Sequence, residues 1–147
     1  MNILFLCVGN SARSQIAEGL AKEILGPKHR VESAGSVPTG KVHINANLAM
    51  QEIGIDISDQ FSKSIDELDK DFIQNLDFII TLCAEEVCPV MNNNAKKIHW
   101  VNEDPANENF SKAQSQAAFI KVRNNLYNLL KKFFILKQYL ITISFSG

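Results

Sequence analysis

The sequence is poor in the features that most simply assign a chain to a class. Of its 147 residues only three are cysteine, four are proline and one is tryptophan, and the formal net charge is -1. So few cysteines do not predict the disulfide framework of a small secreted domain. A near-neutral charge offers nucleic acid no basic surface, and no run approaches the ~20 apolar residues that span a bilayer. We therefore expect neither nucleic acid nor a membrane as partner.

No basic region followed by a cleavable apolar segment stands near the start, and no repeat or linker divides the chain. With 46% hydrophobic and 21% charged residues, the composition predicts one globular domain over residues 1–147. We expect this domain to be a cytoplasmic monomer. In that compartment cysteines are more typical of catalysis, redox chemistry or metal binding than of structural disulfides.

Apolar runs alternate with amphipathic stretches along the chain. Strands are predicted at 1–6, about 30–33, 76–82 and 97–100, and helices at about 11–25, at about 45–53 and from 111 onward. This alternation predicts a three-layer α/β/α fold with a four-stranded parallel sheet. The tail, residues 133–147, is unusually apolar for a helix end. It is either a helix continuing onto the core or an interaction surface, such as a dimer contact.

The most informative segment joins the first strand to the first helix. Five small or polar residues separate Cys7 from Arg13. We expect Gly9 to adopt a positive φ, so that successive amides form a nest for a tetrahedral anion. The helix N-terminus adds partial positive charge, and Arg13 adds a permanently charged fork. The predicted oxyanion-binding residues are Val8, Gly9, Asn10, Ser11, Ala12, Arg13 and Ser14.

The same donors would stabilise a thiolate, which makes Cys7 a candidate nucleophile. Ser14 could donate its hydroxyl proton to that sulfur. The alternative interpretation is a buried structural cysteine beside a helix-capping serine.

A second pair of cysteines follows the third predicted strand. Four residues separate Cys83 from Cys88, which is longer than a thioredoxin-type motif. If the segment is helical, the two α-carbons lie ~7.5 Å apart along the axis, beyond the ~6.8 Å limit for a disulfide. A bond between them would then unwind the segment. The alternatives are two unrelated packing thiols, or a zinc site that enlists His99.

Asp104 precedes Pro105 in the loop after the fourth strand. A residue before proline is held extended, so Asp104 could lean over the anion site as a general acid. Asp-Pro is also common in turns, which is the alternative.

Several motifs together resemble one family. They are ILFLCVGNSARSQIAEG at 3–19, VESAGS at 31–36, GIDIS at 54–58, DFIITLC at 77–83 with Cys88 downstream, and HW at 99–100 followed by EDPA at 103–106. From Met1 to about Lys132 the chain resembles the thioredoxin-coupled arsenate reductases. These enzymes share the fold of low-molecular-weight protein tyrosine phosphatases.

The resemblance implies a mechanism for the chain. Cys7 attacks arsenate held by the loop amides and Arg13, while Asp104 protonates the departing oxygen. Cys83 then attacks Cys7, and arsenite leaves. Cys88 next attacks Cys83 and forms a disulfide with it. Thioredoxin reduces the resulting Cys83–Cys88 disulfide, and no cofactor is required.

The resemblance also implies a potassium site beside the loop, at Asn10, Glu18, Ser33 and Asp66. Two alternative functions stay open. One is a low-molecular-weight phosphatase working through a phosphocysteine, although such phosphatases typically have proline and tyrosine where this chain has Gln15 and Ala106. The other is a thiol-based redox sensor or oxyanion-binding regulator.

Overall fold

The computed structural model describes residues 1–84, 88–91 and 93–146. Within those residues the strands are β1 Asn2–Cys7, β2 Arg30–Gly35, β3 Phe78–Thr81 and β4 Lys96–His99. The helices are α1 Arg13–Leu25, α2 Ile44–Gln51, α3 Lys70–Gln74 and α4 Lys112–Phe145, with a 3₁₀ turn at Ile65–Glu67.

The strands form one parallel sheet in the order β2-β1-β3-β4. At the carboxyl edge, Cys7 pairs with Gly35 of β2, and Leu6 pairs with Thr81 of β3. Because all strands run the same way, the residues that follow them gather at this edge. The loop from Cys7 to Ser14, called the anion loop below, and Cys83 both lie at this edge.

Side chains of β1 alternate between two hydrophobic clusters. Ile3 and Phe5 join buried residues of α1, α2 and α4, whereas Leu4 and Leu6 join a cluster with Phe72 of α3. The sheet is therefore covered on both faces, and the predicted three-layer α/β/α fold is confirmed.

Local signals explain where two helices begin. Ser111 and Gln114 form a capping box, with Ser111 Oγ accepting from Gln114 N at 3.1 Å and Gln114 Oε1 accepting from Ser111 N at 2.8 Å. α4 thus begins where it was predicted. The short helix α3 was not predicted, because its signal is only the Asp69 cap and one buried phenylalanine, Phe72.

The apolar tail continues α4 as a helix, and its first two residues, Phe133 and Phe134, pack against the core. Phe134 is buried, and the described side chains beyond it are exposed or half-buried. Tyr139, for example, is 65% exposed. Among the described residues, no helix is long and apolar enough to cross a membrane.

Candidate active site

The loop between β1 and α1 is anchored through its carbonyls. They accept three hydrogen bonds from the segment at 37–43: Val37 N to Val8 O at 2.9 Å, Thr39 N to Gly9 O at 3.0 Å and His43 N to Ser11 O at 2.9 Å. In a trans peptide the carbonyl and the next amide point in opposite directions. The amides of Gly9, Asn10 and Ala12 therefore point opposite to these anchored carbonyls, and the Asn10 amide donates to Cys7 Sγ at 3.3 Å.

The left-handed residue of the loop is Asn10, with φ 47°. The prediction that Gly9 takes the positive φ is wrong. Asparagine tolerates this conformation better than most residues, and here its side chain is fixed on both sides. Its Oδ1 accepts from Gln15 Nε2 at 3.0 Å and from Lys63 N at 2.9 Å. These bonds hold the strained residue in place.

Gly35, at the end of β2, allows the loop to lie against the sheet. A Cβ at this position would be 2.3 Å from Val8 O and 3.0 Å from Asn10 N, both backbone atoms. Gly35 is not among the site residues predicted from the sequence. The sequence feature that could have pointed to it is a glycine at the carboxyl end of a predicted strand, inside the motif VESAGS.

Cys7 is a free, buried thiol at the base of the loop. Its Sγ lies 2.8 Å from Ser14 Oγ and accepts from Asn10 N at 3.3 Å. Ser14 and the Asn10 amide can therefore both donate a hydrogen bond to this sulfur.

Arg13 is also buried, and its Nη1 donates to the backbone oxygen of Asn102 at 2.9 Å. Asn102 lies in the loop after β4, where its amide donates to Leu82 O and its side chain accepts from Asn125 Nδ2. The guanidinium is thus held by the loop that carries Asp104. Sequence reasoning missed Asn102, whose role depends on a backbone atom.

A cavity of about 410 Å³ brings the candidate groups together. Its lining residues are Cys7, Val8, Gly9, Asn10, Ser11, Ala12, Arg13, Val37, Thr39, Asp104 and Ala106. Asp104 is exposed at this cavity, and its Oδ1 accepts from Ala106 N at 3.0 Å. The nucleophile candidate, the arginine and the acid candidate therefore face one space.

Cys83 and Cys88 form a disulfide with a Cα–Cα distance of 5.6 Å. Cys83 is buried two residues after the end of β3. The intervening Leu82 donates from its backbone N to Leu6 O of β1 at 3.0 Å. A pair already joined cannot supply two thiolates to zinc. The intervening residues 85–87 lie outside the described residues, so the expectation of a helix that unwinds stays a prediction.

Three of the four residues expected to bind potassium converge, but the place of a cation beside them is taken by Lys63. Asn10 Nδ2 donates to Ser33 Oγ at 2.9 Å, and Ser33 Oγ donates to Glu18 Oε1 at 2.8 Å. Asp66 instead lies exposed on the turn Ile65–Glu67. The Lys63 ammonium stands 3.7 Å from Glu18 Oε1. A positive group thus already faces this carboxylate, and the amide presents donors rather than oxygen ligands.

Two displaced pKa values belong to groups outside the cavity. Burial and the charged N-terminal amine lower the pKa of His29. Hydrogen bonds from Ser58 lower the pKa of Asp56. Neither residue lines the cavity, so these shifts do not bear on its chemistry.

The fold and this loop define a class of protein. The chain belongs to the low molecular weight phosphotyrosine protein phosphatase family, which it matches over residues 2–140. Within that family its sequence is similar to arsenate reductases. The arsenate reductase of Bacillus subtilis (strain 168) is 44% identical over 133 residues, covering 89% of this chain and 93% of the relative. The resemblance inferred from the motifs is confirmed.

Solved structures agree with this relationship. A thioredoxin-dependent arsenate reductase of Corynebacterium glutamicum is 32% identical with a TM-score of 0.65, covering 90% of this chain and 61% of that one. A structure described as an arsenate reductase in the phosphate binding state is 33% identical, also with a TM-score of 0.65, covering 88% of this chain and 96% of that one.

Proposed function

We propose that this protein reduces arsenate to arsenite through Cys7, Cys83 and Cys88, with thioredoxin as the reductant. The observation that carries the proposal is a free Cys7 in an oxyanion loop, next to a strand whose end bears the Cys83–Cys88 disulfide. The arsenate reductases among its relatives support the same reaction. The proposal includes a monomeric, cytoplasmic enzyme that requires no cofactor.

The first step is nucleophilic attack at arsenic. The Cys7 thiolate forms a sulfur–arsenic bond, and one arsenate oxygen departs as water after Asp104 donates a proton. The loop amides and Arg13 hold the remaining oxygens and stabilise their charge. Arsenic is still pentavalent in this adduct.

The second step carries the reduction. The Cys83 thiolate attacks the Cys7 sulfur, the sulfur–arsenic bond breaks, and its electron pair goes to arsenic, which leaves as arsenite. A Cys7–Cys83 disulfide forms. The Cys88 thiolate then attacks Cys83 and releases Cys7. The final disulfide joins Cys83 to Cys88, which is the pairing in this structure, and the dithiol of thioredoxin reduces it with two electrons.

A phosphatase is the second candidate, because the same cavity suits phosphoester hydrolysis. Cys7, Arg13 and Asp104 would then form and hydrolyse a phosphocysteine. That reaction has no use for the Cys83–Cys88 disulfide. Ala106 also lines the cavity without the aromatic side chain that phosphatases typically have after Asp-Pro.

The test is arsenate-dependent NADPH consumption in the presence of thioredoxin and thioredoxin reductase. Continuous consumption that requires arsenate is expected. Hydrolysis of an aryl phosphate without arsenate-dependent NADPH consumption would favour the phosphatase instead. Stoichiometric oxidation without turnover in either assay would favour a redox sensor.

A further inference from the structure

A buried chain of hydrogen bonds connects the carboxylate of Glu18 to the thiol of Cys7. Its four links are Ser33 Oγ to Glu18 Oε1 at 2.8 Å, Asn10 Nδ2 to Ser33 Oγ at 2.9 Å, Asn10 Nδ2 to Ser14 Oγ at 2.8 Å, and Ser14 Oγ to Cys7 Sγ at 2.8 Å. All five residues are nearly or fully inaccessible to solvent. These hydrogen bonds are therefore shielded from competition by water.

The Glu18 carboxylate sets the direction of every link. A carboxylate only accepts, so Ser33 must donate its single proton to Glu18. Ser33 can then only accept from Asn10, whose second amide proton goes to Ser14. The hydroxyl proton of Ser14 is left for the Cys7 thiolate. Lys63 N donates to Asn10 Oδ1 at 2.9 Å, which independently fixes the same amide orientation.

This arrangement depends on a charge that is costly to bury. The Glu18 side chain is 3% exposed, and an unpaired carboxylate in such a place is strongly disfavoured. Lys22 binds Glu18 Oε2 at 2.7 Å from the solvent side, with its own side chain 49% exposed. The Lys63 ammonium stands 3.7 Å from Oε1 and is only 6% exposed, over the ring of Phe61 at 4.7 Å.

We propose that Lys63 is a tethered cation that serves in place of a bound monovalent metal ion beside the anion loop. Its ammonium faces the buried Glu18 carboxylate, and Glu18 orients the hydrogen bonds that end at Cys7. The backbone of Lys63 belongs to the same scaffold, because its carbonyl accepts from Gly35 N at 3.0 Å. Lys63 is thus a positioning residue, and potassium is dispensable for the loop.

The experiment compares Lys63→Ala with Lys22→Ala, which removes the exposed partner of the same carboxylate. Thermal unfolding and phosphate binding are measured in potassium chloride and in tetramethylammonium chloride at equal ionic strength. Wild type and Lys22→Ala should each give the same result in both salts. Lys63→Ala should unfold about 5–10 °C below wild type in tetramethylammonium. Potassium should recover much of that loss by entering the vacated space.

A thiol-reactivity measurement separates positioning from general stability. In the oxidised protein Cys7 is the free cysteine, because Cys83 and Cys88 are joined. Its alkylation by iodoacetamide should slow several-fold in Lys63→Ala with tetramethylammonium and recover with potassium. Neither readout involves turnover, so failure of this inference is distinguishable from failure of the proposed arsenate reduction.

The inference is overturned if potassium specifically stabilises wild type, or if Lys63→Ala matches wild type in tetramethylammonium. If Lys63→Ala does not fold, Lys63→Gln is measured in its place, together with the double variant Glu18→Gln/Lys63→Gln. Removing both charges should restore much of the unfolding temperature and abolish any response to potassium. A double variant no more stable than Lys63→Gln would reject the role of the ammonium.

Discussion

Gly35→Ala tests whether the anion loop depends on its contact with β2. The added Cβ would lie 2.3 Å from Val8 O, a distance that real Cβ atoms essentially never show, and the neighbouring atoms are backbone rather than a flexible side-chain end. To reach even 3.0 Å the loop must move by about 0.7 Å. Misplacement by ~1 Å can lower a rate ~100-fold, whereas overpacking costs ~1–3 kcal/mol of stability. We expect kcat/KM to fall about 100-fold in a protein that still folds, because a loss of ~1–3 kcal/mol is smaller than the stability of a typical domain.

The assay for Gly35→Ala is kcat/KM for arsenate with thioredoxin present, beside urea unfolding of the same preparation. Gly26→Ala is the matched control, since Gly26 has φ 79° and open space around its Cβ position. The control should lose ~1 kcal/mol of stability through backbone strain and keep its kcat/KM. A Gly35→Ala variant with wild-type kcat/KM would refute the argument that this contact positions the loop.

Two further substitutions address the groups around the cavity. Arg13→Lys should weaken phosphate binding and lower kcat/KM together, because a point charge cannot reproduce both the bond to Asn102 O and bidentate binding of the anion. Calorimetry measures the binding and steady-state kinetics the kcat/KM. Unchanged values would reject this role of Arg13. Asp104→Asn should slow formation of the first adduct ~100-fold with little change in phosphate affinity. Rapid-quench single turnovers measured across pH check this. An unaltered pH profile would mean that Asp104 only stabilises the turn with Ala106.

The sheet was predictable because buried strands have a strong local signal. The runs ending at Cys7 and Thr81 are apolar and short, and the helices between strands require a parallel arrangement. The start of α4 was predictable for the same reason, since Ser111 and Gln114 lie in one turn. The helix α3 has five residues and one buried side chain, too little for a periodic pattern.

The candidate site was predictable only where its residues are contiguous in the chain. The loop from Cys7 to Ser14 is one segment, whereas Lys63 and Asn102 reach it through tertiary folding. Asp66 has the residue type expected of a cation ligand, but the turn Ile65–Glu67 leaves it exposed, and Lys63 approaches Glu18 instead. The conformation of Asn10 was also hidden, because its stabilising bonds come partly from residues distant in sequence.

The central claim is that the disulfide first joins Cys7 to Cys83 and then passes to Cys83 and Cys88, while the electrons flow to arsenic. The variant Cys88→Ser tests it most directly. In this variant the Cys7–Cys83 disulfide can form but cannot be resolved. The measurement is arsenite released per enzyme from the fully reduced variant, with non-reducing peptide mapping of the product and Cys83→Ser as the matched control.

We expect about one arsenite per enzyme from Cys88→Ser, followed by a stall with Cys7 joined to Cys83. Cys83→Ser should release no arsenite while retaining slow hydrolysis of an aryl phosphate at Cys7. Sustained turnover by Cys88→Ser with thioredoxin, or a single turnover that leaves Cys7 and Cys83 as thiols, would contradict the three-cysteine relay.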